Sequence, residues 1–189
     1  MMKWTIPAGK ELRIAISGKS GCGNTTVSKL LAEKLGIALI NFTFRNLSCE
    51  TGLSLPEIIE RAKTDDSFDQ AIDSRQVELA RKESCVLASR LAVWMLKEAD
   101  LKVYLDADEN VRAQRIFKRE GGDLQAIKDF TALRDAEDSG RYKRLYNIDN
   151  GDYSCADLLI DTSKYNPEEI TDIILQELIK KGLIVSSDA

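Results

Sequence analysis

Histidine is absent from this chain of 189 residues. With no imidazole there is no histidine metal ligand and no histidine general base, so any proton transfer falls to carboxylates, water, Lys, Cys or Tyr. Proline is scarce, at 3 residues, and glycine stands at 11, which excludes a collagen-like or linker-rich chain. The four cysteines, Cys22, Cys49, Cys85 and Cys155, are scattered with no CxxC spacing. Neither a zinc site nor a disulfide framework is expected, and reduced thiols in a cytoplasmic setting are the reading. No apolar run approaches the ~18 residues of a membrane span, and residues 1–9 lack the long apolar stretch of a signal peptide. Apolar residues make up 43% and charged residues 31%, with a net charge of −4. That apolar content excludes a disordered chain. The length favours one domain, and the acidic balance speaks against a general nucleic-acid binder.

The charge is unevenly spread. Residues 1–110 are nearly neutral at −1, residues 111–146 carry +3, and residues 147–189 carry −6. The middle stretch is a basic island in an acidic protein, read either as a solvated helix face or as an anion site.

Hydrophobic patterning divides the chain into alternating strands and helices. Short apolar strands are expected at residues 12–17, 37–41, 85–88, 102–106 and 158–160. Helices are expected at 25–35, in short pieces through 44–72, and at 69–82, 91–97, 110–119, 125–146 and from Pro167 to near Gly182. Gly36 and the pair Gly121-Gly122 read as stops, and Ser54-Leu55-Pro56-Glu57 as a capping box. Five short, nearly all-apolar strands alternating with helices indicate an α/β fold, a parallel sheet covered on both faces. Trp94 and Phe117 read as core, and Trp4 as a cover for the first strand's edge.

The first strand runs into Ser17-Gly18-Lys19-Ser20-Gly21-Cys22-Gly23-Asn24-Thr25-Thr26. Gly18, Gly23 and Thr25 fit the phosphate-loop spacing G-x-x-x-x-G-K-[ST], with Asn24 at the lysine position. Such a loop turns backbone N–H groups around phosphate oxygens, which side chains would obstruct, and the helix behind it adds partial positive charge. The Thr25 hydroxyl suits the shell of a magnesium ion. Lys19 can supply the charge that Asn24 does not. Cys22 is either a thiol with its pKa lowered by the helix N-terminus or a small loop filler.

Arg112, Arg115 and Arg119 recur at spacings of three and four and share a helix face, as do Arg134 and Arg141, seven apart. Several converging cations suit transfer of a phosphoryl group; salt bridges on exposed helices are the alternative.

Taken together, these segments resemble the cytidylate kinases, nucleoside-monophosphate kinases of the P-loop superfamily, in their short archaeal-type form, over nearly the whole chain. The resemblance is carried by the loop opening Ile14-Ala15-Ile16-Ser17-Gly18, by Phe44-Arg45, and by the run Ile72-Asp73-Ser74-Arg75-Gln76-Val77-Glu78-Leu79-Ala80. Further along it is carried by Arg90-Leu91-Ala92-Val93-Trp94-Met95, by Arg134-Asp135-Ala136-Glu137-Asp138-Ser139-Gly140-Arg141, and by Arg141-Tyr142-Lys143-Arg144-Leu145-Tyr146.

The resemblance implies a P-loop fold with a five-stranded parallel sheet, in one domain spanning 1–189. It also implies a monophosphate-binding insertion at about 42–82 and a lid at about 115–130 that closes on ATP. The implied reaction is Mg²⁺-dependent transfer from ATP to CMP or dCMP. Gly18, Lys19, Ser20, Gly21, Cys22, Gly23, Asn24, Thr25 and Thr26 would hold ATP and, through Thr25, the metal. Arg45, Arg90, Asp138 and Arg141 would meet the acceptor, and Asp73 with Arg75 form either a pocket pair or a surface pair. Lys19, Arg115, Arg119 and Arg141 would neutralise the moving group. The sequence departs from the family at Asn24, at Ala88-Ser89 in place of an acidic residue and a glycine, and at Asn41-Phe42-Thr43-Phe44 in the acceptor pocket. A UMP or other small-molecule kinase, or a weakened nucleotide-binding regulator, are the alternatives. A monomer without nucleic-acid or membrane partners is expected.

Overall fold

A computed structural model describes residues 4–186, so residues 1–3 of the N-terminal stretch read above lie outside it. Its first elements are β1 (Trp4–Thr5), β2 (Arg13–Gly18), α1 (Asn24–Leu35), β3 (Ala38–Ile40), α2 (Phe44–Thr51), α3 (Leu55–Ala62) and α4 (Ser67–Ala80). β4 (Cys85–Ala88), α5 (Ala92–Met95), β5 (Leu101–Asp106), α6 (Glu109–Glu120), α7 (Leu124–Tyr146), β6 (Leu158–Asp161), α8 (Pro167–Lys180) and β7 (Val185–Ser186) follow. Five strands form one parallel sheet in the order β3-β4-β2-β5-β6. β2 is central, so the loop at its C-terminal end opens at the middle of the sheet's top edge, where open α/β sheets bind ligands.

The period of two along β2 builds two cores. Ile14 and Ile16 face α1 and α8 and pack with Val27, Leu31, Ile170, Ile174 and Leu178. Ala15 faces the other way, with Leu87, Val77, Ala80, Ala92, Val93 and Tyr104. A third, small cluster holds Phe42, Leu47 and Ile58, under α2 and α3. Ser17, fully buried between strands, accepts a hydrogen bond from the Val93 N–H at 3.1 Å, so its hydroxyl carries no desolvation debt.

The helix punctuation follows local chemistry. Gly36 ends α1 in the left-handed region at φ 65°, Ser54 and Glu57 close the capping box of α3, and Gly121 stops α6 at φ 73°. Two expectations need correction. The helix read at 91–97 is one turn, Ala92–Met95, because the Asp100 N–H must return to the Arg13 carbonyl to start β5. Phe117, read as core, is 39% exposed.

Trp4 forms its own two-stranded ribbon, Trp4 opposite Ser186 and Thr5 opposite Val185, while packing against the first core. Two-residue strands are too short for periodicity to reveal. Trp94 meets Tyr104 edge-on at 5.8 Å, and Tyr104 stacks on Tyr153 at 4.1 Å, as suits core aromatics. Among the described residues no helix is long and apolar enough to cross a membrane.

Candidate active site

The loop from Gly18 to Gly23 is clamped from behind by α6. Arg112, 2% exposed, donates from Nη1 to the Ser20 carbonyl at 3.2 Å and from Nη2 to Asp135 Oδ2 at 2.8 Å. Arg115 donates to the Gly21 carbonyl at 3.2 Å, and to the Thr162 hydroxyl and carbonyl at 2.9 and 2.6 Å. Two guanidiniums thus take up loop carbonyls on one side. The approach is so close that a Cβ on Gly21 would meet the Arg112 carbonyl at 2.8 Å, and its φ of +85° is a glycine conformation besides. Gly23, at φ 91°, is the N-cap of α1 and offers no side chain to cap it. The first N–H groups of α1 therefore keep their capacity for an anion.

Asn24, at the lysine position, is occupied structurally. Its Nδ2 donates to the Ser89 carbonyl at 3.5 Å and its Oδ1 accepts from the Ser28 hydroxyl at 3.1 Å. It braces the loop against the end of β4. Cys22 is 1% exposed, and burial pushes its thiol up to about 11. It fills the loop, and burial works against the lowered pKa of a thiol near a helix N-terminus.

The loop opens into one cavity of about 710 Å³. Lys19, Arg90, Arg115, Arg119, Arg134 and Arg141 line it, against two carboxylates, Asp69 and Asp73. The wall therefore carries a net positive charge in a chain whose net charge is −4, which favours a polyanion.

The cations come from separate elements and are held differently. Arg90, just past β4, pairs with Asp138 and donates to the Ser20 hydroxyl at 2.8 Å. Arg141 pairs with Asp138 at 2.7 Å and approaches Asp69 at 3.9 Å. Burial works against the charge of Arg141, but Asp69 and Asp138 outweigh it and hold its pKa above the ordinary value. Arg134 is pushed down, first by its concave surroundings and then by Arg90, although the residue reaches solvent. Lys19 Nζ is 3.9 Å from Asp135. Arg119, with its side chain 67% exposed at the rim, pairs with Glu120.

From α4, Asp69, Ile72, Asp73 and Gln76 also line the cavity, and Ile72 packs with Phe42 and Phe44. The spacing of three, four and seven puts the four α4 residues on one helix face. Asp73 Oδ2 accepts from the Tyr146 hydroxyl at 2.8 Å. Burial raises Asp73 to about 6, with the tyrosine hydrogen bond opposing that rise, and burial also raises Asp69.

The expected site residues are only partly brought together. Gly18 through Thr26, Asp73, Arg90, Arg115, Arg119 and Arg141 line the cavity, and Asp138 stands behind it as the shared partner of Arg90 and Arg141. Arg45 is exposed and off the lining, while its neighbour Phe44 is on it. Arg75 pairs with Glu50 and Glu78 on the outer face of α4, which is the surface alternative; Asp73 alone takes the pocket position. Asp69, Gln76, Tyr142 and the start of α8 (Asn166, Pro167 and Ile170) also line the cavity and were not singled out from sequence. The helical spacing around Asp73 was the signal available for Asp69 and Gln76.

Residues 45–164 match the cytidylate kinase-like family. The chain is 45% identical to a cytidylate kinase 2 of Borreliella burgdorferi, over 91% of this chain and 98% of that protein. It is 40% identical to a cytidylate kinase of Archaeoglobus fulgidus, over 92% and 98%. Among solved structures, a shikimate kinase from Bacteroides thetaiotaomicron superposes with a TM-score of 0.62 at 18% identity, covering 89% of this chain and 98% of that one. A deoxyadenosine kinase from M. mycoides gives 0.55 at 16%, covering 88% and 99%. At those identities the structures show the fold alone, the P-loop fold.

Proposed function

The chain belongs to the cytidylate kinase-like family and is a phosphotransferase, and from that premise we propose that it moves the γ-phosphoryl group of ATP to CMP or dCMP, giving ADP and the nucleoside diphosphate. The observation that carries the reading is the single cavity that joins the phosphate loop, six cations and the α4 face. A donor triphosphate and an acceptor monophosphate meeting in one cavity need this excess of positive charge. The acceptor is already an anion, so the reaction asks for no strong general base, in keeping with a chain that has no histidine.

Each part has a role in this reading. The uncapped N-terminus of α1 and the loop N–H groups hold the donor phosphates. Arg115, tied only to neutral oxygens, has no carboxylate partner among the described residues and keeps its charge for the transferred group. Arg90 and Arg141 exchange part of their contact with Asp138 for the acceptor phosphate. Lys19 brings to the loop the charge that Asn24 cannot.

Among the described residues no group of three or more carboxylates or thiols could hold a metal. A magnesium ion fits this site through the Thr25 hydroxyl and the nucleotide's own oxygens, in the manner usual for that ion. When bound, it supplies charge neutralisation between the phosphates. Residues of about 42–82 form the acceptor insertion and those of about 115–130 the lid, whose closure excludes water from the phosphates.

The test is ADP formation from Mg-ATP with CMP, dCMP, UMP, AMP, GMP or no acceptor. Turnover concentrated on CMP and dCMP is expected, and removal of the Arg115 charge in Arg115→Ala should lower kcat about 10²–10³-fold. Hydrolysis of ATP as fast without acceptor as with it would overturn the reading.

A further inference from the structure

Gln76 is 4% exposed, yet it lines the cavity. Its Oε1 is, among the described residues, the one buried side-chain oxygen with no hydrogen-bond partner. Buried acceptors are almost always paired, and an orphan next to a binding cavity points to a donor on the ligand. The amide is not free to turn over. Its Nε2 donates to Asp73 Oδ1 at 3.4 Å, and the other oxygen of that carboxylate accepts from the Tyr146 hydroxyl at 2.8 Å. Turned over, the amide would set Oε1 against the Asp73 carboxylate, oxygen against oxygen. The chain Tyr146–Asp73–Gln76 therefore leaves an acceptor as the unsatisfied group. Asp69, on the same helix face and also lining the cavity, adds further acceptors, while Phe44 and Ile72 supply apolar surface for a flat ring.

We infer that Gln76, oriented by Asp73, is a specificity-determining residue that accepts a hydrogen bond from the exocyclic amino group of the acceptor's base and so selects cytosine over uracil. The inference rests on the acceptor being a pyrimidine nucleotide, as proposed above. Cytosine carries an amine at C4, a donor that suits a wall of acceptors. Uracil carries a carbonyl oxygen there, which would face Gln76 Oε1 and the two aspartates with no donor between them. Sites that hydrogen-bond one substrate group reject the analogue lacking it far more strongly than a change in size would.

The experiment measures kcat/KM for CMP and for UMP with the full chain and with the variants Gln76→Met and Asp73→Asn. Gln76→Met keeps the volume and removes the acceptor. Asp73→Asn keeps the shape and lets the neighbouring amide donate to Gln76 Oε1, which frees Gln76 to present Nε2 instead. The wild type is expected to favour CMP, and each variant to lower the CMP:UMP ratio at least about tenfold, with use of UMP rising in Asp73→Asn. A purely structural role would lower both substrates together. Folded variants with an unmoved ratio would overturn this inference alone, whereas a wild type that turns over neither nucleotide would overturn the acceptor reading and this inference with it.

Discussion

At Asp73 two influences oppose one another: burial favours the neutral acid, and the Tyr146 hydroxyl favours the carboxylate. Burial wins and carries the pKa from its usual 3.8 to about 6. Asp69 on the same helix and Asp138 on α7 reinforce the rise, while Arg141 on α7 resists it. The folded chain thus binds this proton more tightly than the unfolded chain does. The stability it lends is complete below about pH 4 and is lost as pH rises through about 6. Asp73→Asn, which cannot ionise, is expected to be more stable than wild type by roughly 1–3 kcal/mol at pH 7.5 and to gain little at pH 4. Denaturant titrations at the two pH values check this; an equal gain at both would point to packing instead. The loop glycines and Thr25 were legible in the sequence because their spacing encodes a backbone shape. The outward turn of Arg75 was not, because its side-chain direction depends on a partner elsewhere in the chain, Glu50, 25 residues away.

Among the elements, α6 does more than carry cations. Its buried Arg112 ties the phosphate loop to Asp135 on α7, so three elements meet at one guanidinium. In the sequence Arg112 was one arginine among three on a helix face, and nothing there separated it from the exposed Arg119. Burial separates them, at 2% against 67% for the side chains. Removing Arg112 leaves the Ser20 carbonyl and Asp135 without their donor. Arg112→Met is expected to cost about 2–4 kcal/mol, with Asp135 recovering some hydration. It should also weaken ATP binding before any change in acceptor binding. Thermal melts with and without ATP measure both effects, and unchanged ATP-dependent stabilisation would refute the clamp. The five sheet strands were readable as short, mostly apolar runs, and the helices α1, α6 and α8 by the glycine or capping residue at an end. The ribbon of β1 and β7 was not, since its pairing joins residues from opposite ends of the described chain.

For the molecule as a whole, the alternation of strands and helices was enough to indicate a parallel sheet. The strand order, and with it the position of the loop, came only from the structure. The apolar interior is very unequally divided. The cluster beneath α1 and α8 gathers nineteen buried residues, while the one beneath α2 and α3 has three, Phe42, Leu47 and Ile58. Cooperative opening is easiest where the least apolar surface is exposed by it. Backbone amides of α2 and α3 should therefore exchange with solvent deuterium well before those of β2, β4 and β5. Mass-resolved exchange is expected to show CMP slowing α2 and α3 more than ATP does, so that the acceptor itself completes the region that receives it.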